Sequence, residues 1–255
     1  MPHSYVIDMD GVIYHGSRLI PGALDFAERL RAGGHKFLFL TNNSQWTPRD
    51  LKHKLERMGI AVEESAFHTS ALATADFLHQ QLPGGTAYVI GGAGLTHALY
   101  SVGYTLTEHN PDYVVVGDTR GYDYEKIERA VRLIVNGARF VATNLDLTGP
   151  SEHGIQPACG ALVAPIELAT GRKPYFVGKP NALMMRTALR KLGAHSAESF
   201  MVGDRMDTDI LAGTEAGMKT ILVLSGVTTR ESIEHYPYRP THVYEDVGHI
   251  PVSQL

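Results

Sequence analysis

The sequence predicts an α/β fold: a doubly wound, Rossmann-like parallel sheet forms the core, and a second α/β domain is inserted into it. Three observations support this prediction. Short, almost wholly apolar runs alternate with helix-length segments, as expected for parallel strands that are covered on both faces. Several of these runs end in polar residues, at the edge where such sheets bind ligands. The alternation of strands and helices seen in residues 1–80 then resumes in residues 175–255.

Residues 1–80 contain the first three predicted strands, each followed by a helix. Proline stands at the start of two helices, at Pro21 and Pro48, and glycine follows their ends, at Gly33 and Gly59. These are the start and stop signals expected of helices. The strands are predicted at Tyr5–Asp8, Lys36–Leu40 and Ala66–Thr69, and the third helix at Ser70–Gln81.

A second block of elements lies between two turn-rich segments, Gln80–Gly85 and Gly171–Pro174. Its predicted strands are Ala87–Ile90, Tyr113–Gly117 and Arg139–Thr143, and its predicted helices are Leu95–Val102, Glu125–Val135 and Ala161–Ala169. We therefore predict that residues 81–174 form an inserted α/β domain.

The first pattern resumes after this block. Strands are predicted at Tyr175–Val177, Phe200–Val202, Thr220–Leu224 and Thr241–Tyr244. One helix is predicted after Pro180, through about Leu192, and another at Ile210–Ala216. A polar segment is predicted at Thr228–Glu234. Residues 175–255 are predicted to join residues 1–80 in one discontinuous core.

Composition limits the class of protein. The chain has 255 residues, 44% of them hydrophobic and 20% charged, with a net charge of −4. This balance lacks the basic surface that nucleic acid or a membrane would require, and no apolar run approaches the ~20 residues of a membrane span. One cysteine, Cys159, excludes an internal disulfide, and because the first strand begins within a few residues of Met1 we expect no signal peptide. We expect a cytoplasmic protein.

The most informative motif is Asp8-Met9-Asp10-Gly11, directly after the apolar run Tyr5-Val6-Ile7. A buried strand thus delivers two carboxylates to the mouth of the sheet. Two ionised carboxylates about 4 Å apart repel each other by roughly 4 kcal/mol at an effective dielectric near 20. A hard divalent cation with oxygen ligands is the natural compensation.

Other strand ends carry further polar residues, and a parallel sheet brings them to the same edge. They are Thr41 and Asn42, Lys179, and Asp204 with Asp209. This set suits phosphoryl transfer, which needs an in-line nucleophile, a divalent cation and donors for the phosphate oxygens. Asp8 can attack phosphorus and form an aspartyl phosphate. Asp10 can protonate the leaving alkoxide and later deprotonate water.

The remaining roles follow from the same chemistry. Asp204 is predicted to complete the metal site with Asp8 and the backbone carbonyl of Asp10. Lys179 neutralises negative charge as a point cation. Thr41 and Asn42, with their backbone N–H groups, are predicted to hold phosphate oxygens.

Four motifs occur in a fixed order: DMDGV, then LTN after a strand, then VGKP, then VGDRMDTD. In this order they resemble the signature motifs of haloacid dehalogenase-superfamily phosphatases, and the large insertion between the second and third resembles the subclass IIA cap. Within that subclass the chain resembles the NagD-like and p-nitrophenylphosphatase-like group over nearly its whole length.

The resemblance implies a magnesium-dependent phosphomonoesterase that acts on small metabolites such as nucleoside monophosphates or sugar phosphates. It implies Asp8 as nucleophile, Asp10 as general acid and base, Mg²⁺ ligation by Asp8, Asp10 and Asp204, and Asp209 as a carboxylate behind the metal's waters or Lys179. Phosphate contacts are predicted at Gly11, Thr41, Asn42 and Lys179. Substrate contacts are expected near Asp118, Asn144 and residues 157–161. The cap leaves surface available for dimerisation.

Simpler interpretations stay open for single residues. Thr41-Asn42 could merely end a strand, Lys179 could be a solvated loop lysine, and Asp209 could be a carboxylate favoured at a helix N-terminus. For Asp207 we prefer that last interpretation and leave it out of the site. Cys159 has no neighbouring base in the sequence and is not predicted to be a nucleophile. Gly91–Gly94 lacks the full dinucleotide-loop spacing and is predicted to be a tight turn.

Two other functions compete with a phosphatase. A phosphomutase would return the phosphoryl group to its substrate, and a non-catalytic metabolite sensor could use the same scaffold. A dehalogenase is disfavoured because carbon–halogen cleavage does not need the acid that Asp10 supplies. A sensor is disfavoured because it has no use for an acid/base aspartate.

Overall fold

The computed structural model describes residues 3–151 and 154–254. Contacts within the chain divide it into two compact units, each drawn from separated segments. The first unit comprises residues 1–41, 51–68 and 179–255, and the second comprises residues 42–50 and 69–178. The predicted domain limits at residues 80 and 175 both fall within the second unit's range 69–178, and these limits stay a prediction.

The first unit is organised around a six-stranded sheet. In spatial order its strands are His242–Tyr244, Lys219–Val223, Ser199–Gly203, Ser4–Ile7, Lys36–Thr41 and Phe67–Thr69. Ser4–Ile7 pairs in parallel with Ser199–Gly203 on one side and with Lys36–Thr41 on the other. All four of its residues are buried, so the strand with the DxDG motif occupies the middle of the sheet.

Helices in this part of the chain are amphipathic. The helix Ala23–Ala32 buries Ala23, Phe26, Ala27 and Leu30, whose spacing places them on one helix face. That face joins a core cluster containing Tyr5, Ile7 and Phe200 from the sheet. The other helices that lie wholly in the first unit are Ala182–Leu192, Leu211–Glu215 and Arg230–Ile233, and the helix Pro48–Arg57 begins in the second unit's segment 42–50.

The second unit contains a five-stranded sheet in which every neighbouring pair is parallel. In spatial order its strands are Tyr175–Phe176, Arg139–Ala142, Tyr113–Val116, Thr86–Ile90 and Thr105–Leu106. Its helices are Ser70–Gln81, Ala93–Ser101, Tyr124–Val135 and Cys159–Thr170. An antiparallel hairpin pairs Thr148–Ser151 with Gly154–Pro157. Parallel sheets with intervening helices confirm the predicted α/β fold class.

Several short elements were not predicted. They are the hairpin Tyr14–His15 with Arg18–Leu19, the strand Thr105–Leu106, the hairpin at 148–157 and the helix Arg230–Ile233. Two-residue strands are too short to show a period, so the sequence pattern does not reveal them. The helix falls in the predicted polar segment and does have a local signal, because Thr229 and Ser232 form a reciprocal capping box.

No helix in the described part of the chain is long and apolar enough to cross a bilayer.

Candidate active site

The predicted catalytic residues of the first unit lie at the carboxyl ends of its parallel strands. Asp8 directly follows Ser4–Ile7, and its backbone N–H donates to the carbonyl of Val202 at 2.8 Å, which continues the ladder to the neighbouring strand. Asp204 directly follows that neighbour, Ser199–Gly203, and Thr41 ends Lys36–Thr41 on the other side. Parallel pairing therefore places all three at the same sheet edge.

Lys179 joins two of the carboxylates. Its Nζ lies 2.5 Å from Oδ1 of Asp8 and 2.7 Å from Oδ1 of Asp209, and its side chain is 3% exposed. Burial alone lowers the pKa of Lys179, but the Asp209 and Asp8 carboxylates outweigh burial and raise it. Lys179 is therefore a buried cation at the centre of the acidic cluster, and the solvated-loop interpretation is wrong.

Three buried acids surround this lysine. One oxygen from each of Asp8, Asp204 and Asp209 lies within 4.8 Å of the others. Burial raises the pKa of Asp8 well above its ordinary range and that of Asp204 to about 7. One ammonium cannot compensate three ionised carboxylates, so without a further cation Asp8 and Asp204 favour their protonated forms, and the donor set is entirely oxygen. These properties fit a hard divalent cation.

Glycines close around Asp204. Gly11 has φ +81°, in the left-handed region, and a Cβ on it would lie 2.6 Å from Oδ2 of Asp204. A Cβ on Gly226 would overlap the same oxygen. Oδ2 also accepts the backbone N–H of Val227 at 2.8 Å. The backbone thus approaches the carboxylate as only glycine allows.

Asp209 is both a helix-start residue and a partner of Lys179. It lies in the π-helical turn Met206–Ile210, where Oδ2 accepts the backbone N–H of Arg205 at 3.1 Å. Its side chain is 1% exposed. Asp207 instead pairs with Arg205 at 2.7 Å, and its side chain is 47% exposed. This exposed ion pair agrees with leaving Asp207 out of the site.

The Asp10 carboxyl has a different environment from Asp8. Asp10 forms an isolated parallel bridge with Tyr14 and is partly exposed. Burial raises the pKa of Asp10, while the positive charges of Lys54 and Lys179 oppose that rise. The sequence reasoning missed Tyr14 and Lys54, and only the apolar run that follows DxDG hints at a buried Tyr14.

Asn42 belongs to the second unit and is 8% exposed. Its Nδ2 donates to Oδ2 of Asp146 at 2.9 Å, and its carbonyl accepts from the Ser70 hydroxyl at 2.5 Å and from Nδ2 of Asn144 at 2.8 Å. The turn that follows the strand Lys36–Thr41 is therefore firmly held. Whether Asn42 contacts phosphate stays a prediction.

Asp118 organises the same part of the second unit. Its carboxylate accepts from the backbone and hydroxyl of Ser44 at 3.1 and 2.8 Å, from Nδ2 of Asn144 at 3.0 Å and from the backbone of Cys159 at 2.9 Å. The thiol of Cys159 is buried, and burial raises its pKa to about 12. This agrees with excluding Cys159 as a nucleophile.

The glycine-rich Gly91–Gly94 segment packs against backbone. Gly94 donates its N–H to the carbonyl of Gln45 at 2.9 Å, and a Cβ there would lie 2.5 Å from the carbonyl oxygen of Trp46. Close backbone packing thus explains Gly94 without a dinucleotide.

Two family models match the chain. One, described as haloacid dehalogenase-like hydrolase, matches residues 5–105, and a second, described as HAD-hydrolase-like, matches residues 176–250. Dihydroxyacetone phosphatase of Corynebacterium glutamicum (strain R) is 50% identical over 245 residues, covering 96% of this chain and 89% of the relative. Ribonucleotide monophosphatase NagD of Escherichia coli (strain K12) is 47% identical over 247 residues, covering 97% of each. The solved structure of NagD from E. coli K-12 aligns with a TM-score of 0.93 and 45% identity, over 99% of both chains.

Proposed function

The chain belongs to the haloacid dehalogenase-like hydrolases and is a NagD-like phosphatase, and we propose that it hydrolyses the phosphate monoesters of small metabolites through an aspartyl phosphate on Asp8. The family predicted from the four motifs is thereby confirmed. The residue roles below are part of the proposal.

The single observation that supports these roles best is the cluster of Asp8, Asp204 and Asp209 around Lys179. Asp8 directly follows the buried central strand Ser4–Ile7, and its Oδ1 is fixed by Lys179. A carboxylate positioned in this way can approach phosphorus without first reorganising, and this pre-positioning lowers the entropic part of the activation barrier.

The proposed reaction has two steps: transfer of the phosphoryl group to Asp8, and hydrolysis of the aspartyl phosphate. In the first, an oxygen of Asp8 forms a bond to phosphorus while the bond from phosphorus to the substrate oxygen breaks, and the Asp10 carboxyl gives its proton to the departing alkoxide. In the second, the Asp10 carboxylate takes a proton from water, whose oxygen bonds to phosphorus and releases Asp8 and inorganic phosphate. General acid–base help of this kind contributes about 10²–10⁴-fold.

We assign a Mg²⁺ site to the carboxylates of Asp8 and Asp204 with the backbone carbonyl of Asp10. These residues suit Mg²⁺ because their buried carboxylate oxygens are the hard, negatively charged ligands that this cation prefers. When bound, the cation supplies electrostatic stabilisation for the transferring phosphoryl group. Asp209 does not bind the cation in this proposal; it accepts a hydrogen bond from Lys179 and so holds the ammonium against Asp8.

Phosphate oxygens are proposed to contact Gly11, Thr41, Asn42 and Lys179. Thr41 and Asn42 are both buried at the end of a strand, and Lys179 carries the positive charge. The proposed substrates are nucleoside monophosphates or sugar phosphates, in line with relatives that are named for ribonucleotide and dihydroxyacetone substrates. Residues 81–174 are proposed as the cap, with leaving-group contacts near Asp118, Asn144 and residues 157–161. We propose a cytoplasmic enzyme, and the cap surface is available for dimerisation.

The decisive experiment measures inorganic phosphate released from a panel of nucleoside and sugar monophosphates and p-nitrophenyl phosphate, with Mg²⁺. We expect release by the wild-type protein and none by Asp8→Asn, with circular dichroism showing that this variant stays folded. Transfer of the phosphoryl group to a second position of the sugar would instead identify a phosphomutase. Binding without turnover would identify a sensor, and phosphate release by Asp8→Asn would refute the nucleophile.

A further inference from the structure

The turn at residues 225–228, which follows the strand Lys219–Val223, lies against the DxDG motif. The Ser225 hydroxyl donates to the Gly11 carbonyl at 2.7 Å, although 214 positions separate these two residues in the sequence. Nε2 of His15 donates in turn to the Ser225 carbonyl at 2.6 Å. The 225–228 turn is therefore joined to residues 11–15 by two side-chain hydrogen bonds.

The same turn holds Asp204. The Val227 N–H donates to Oδ2 of Asp204 at 2.8 Å, and the Thr228 N–H donates to the Asp204 carbonyl at 3.1 Å. Gly226 packs against the motif as well, because a Cβ on Gly11 would lie 3.1 Å from its Cα. The 225–228 turn thus contacts two parts of the proposed Mg²⁺ site, the Asp204 carboxylate and the backbone of the DxDG motif.

Hydrogen bonds fix the peptide groups on both sides of Gly11. Its N–H donates to the Tyr14 carbonyl at 2.9 Å. The N–H and C=O of a trans peptide point in opposite directions, so the Asp10 carbonyl faces away from Tyr14. The next peptide group is held at the Gly11 carbonyl by Ser225. Glycine has the greatest backbone freedom of all residues, so without this second bond the Asp10–Gly11 peptide is freer to turn.

We propose that Ser225 is a positioning residue for the cation: its hydroxyl holds the Gly11 peptide so that the Asp10 carbonyl and the Asp204 carboxylate face the same ion. This inference rests on the proposed function, because it takes these two groups as Mg²⁺ ligands. Ser225 acts through Gly11 and is not itself a ligand. Partners that orient metal ligands raise the affinity for the metal, so loss of the hydroxyl should lower it.

The affinity for Mg²⁺ separates this role from a structural one. A hydroxyl that only stabilises the fold lowers the unfolding temperature and leaves the Mg²⁺ affinity of the folded protein unchanged. A hydroxyl that positions ligands lowers this affinity although the protein remains folded. Calorimetric titration of the protein with MgCl₂ measures the affinity without substrate or turnover.

The test titrates MgCl₂ into the wild-type protein, Ser225→Ala and Ser225→Thr. For Ser225→Ala we expect the Mg²⁺ dissociation constant to rise about tenfold, the lower end of the range for loss of a group that orients a metal ligand. Ser225→Thr keeps a hydroxyl on the same Cβ, so its dissociation constant should stay close to the wild-type value.

Ser199→Ala is the matched control. The Ser199 hydroxyl also donates to a backbone carbonyl, that of His195, at 2.6 Å. Ser199 begins the strand Ser199–Gly203, whereas Asp204 follows the opposite end of this strand. The same substitution there should leave the Mg²⁺ dissociation constant unchanged. Thermal unfolding of all variants in EDTA shows that each is folded and measures any loss of stability separately.

A selective loss of Mg²⁺ affinity in Ser225→Ala supports the inference. Unchanged affinity in this variant would overturn it, and so would an equal loss in Ser225→Thr or in Ser199→Ala, because the Ser225 hydroxyl would then not be the responsible group. Failure of the wild-type protein to bind Mg²⁺ would remove the cation site and the inference together. Phosphate release from p-nitrophenyl phosphate by the wild-type protein, measured in parallel, tests the proposed function by itself.

Discussion

Nζ of Lys179 lies 2.5 Å from Oδ1 of Asp8, although 171 positions separate the two residues in the sequence. The ammonium also contacts Asp209 at 2.7 Å, so a single side chain forms ion pairs with both the proposed nucleophile and a second carboxylate. Removing Lys179 should therefore damage both the charge balance and the orientation of Asp8.

Lys179→Met keeps much of the side-chain volume and removes the charge. We expect kcat/KM for p-nitrophenyl phosphate to fall by about 10²–10³-fold, the range for loss of one preorganised electrostatic contact. Lys179→Arg is the matched control. It keeps the charge, so we expect a smaller loss of kcat/KM, and some loss remains because a planar guanidinium does not reproduce a point cation. Wild-type rates in Lys179→Met would contradict the role of the lysine.

Divalent cation should stabilise the folded protein because the clustered carboxylates repel one another without it. At a Mg²⁺ concentration of 100 times the dissociation constant, the expected stabilisation is about 2.7 kcal/mol. Thermal unfolding with Mg²⁺ and with EDTA measures it. Asp204→Asn should abolish the shift, whereas Asp207→Asn should retain it because Asp207 pairs with Arg205. An equal shift in both variants would place the cation elsewhere.

Gly226→Ala should impair catalysis although it adds only one methyl group. The new Cβ would overlap Oδ2 of Asp204, so the carboxylate must move. We expect a rise in the Mg²⁺ concentration needed for half-maximal activity, by about tenfold or more, as for other disturbances around metal ligands. Gly121→Ala is the control, because its nearest contact would be 3.5 Å away. Unchanged Mg²⁺ dependence in Gly226→Ala would refute the proposed crowding.

His68 should make the protein less stable in mild acid. Burial is the main reason that the pKa of His68 falls from 6.5 to about 3, and Lys191 and Arg190 add to it. Below pH 6.5 the unfolded chain binds a proton that the folded chain refuses, so stability is complete above this pH and declines toward pH 3. The expected loss is about 2 kcal/mol between pH 8 and pH 5.

Urea unfolding across this pH range tests the effect. His68→Leu should flatten the acid limb, while the Thr187 hydroxyl can still donate to the carbonyls of Leu183 and Met184. His109→Leu, at an exposed histidine, should leave the limb unchanged. Parallel curves for the wild-type protein and His68→Leu would assign the acid sensitivity to other groups.

Much of the fold could be predicted from local pattern. Apolar runs located the buried strands to within a residue or two, and the helix Ser70–Gln81 was predicted with its observed bounds. The two-residue strands Tyr14–His15 and Arg18–Leu19 were missed, since their pairing depends on a tight turn rather than on a repeating pattern.

The candidate site was predictable for a topological reason. Residues at the ends of parallel strands must meet at one edge, so Asp8, Thr41 and Asp204 could be grouped without coordinates. The contact of Lys54 with Tyr14 could not be predicted, because it depends on how a helix face packs against a hairpin. For the same reason, sequence alone left two interpretations open for Asp209, and only the structure shows its contacts with Lys179 and with the backbone N–H of Arg205.

The strand order has a consequence for biosynthesis. Ser4–Ile7 lies between Lys36–Thr41, which is translated soon after it, and Ser199–Gly203, which is translated near the end. At about 5–20 residues per second, one edge of this apolar strand stays unpaired for roughly 10 to 40 seconds on the ribosome. The nascent chain thus exposes an unpaired, aggregation-prone strand edge until its final quarter has been translated. Chaperones would matter most to the nascent chain during this interval.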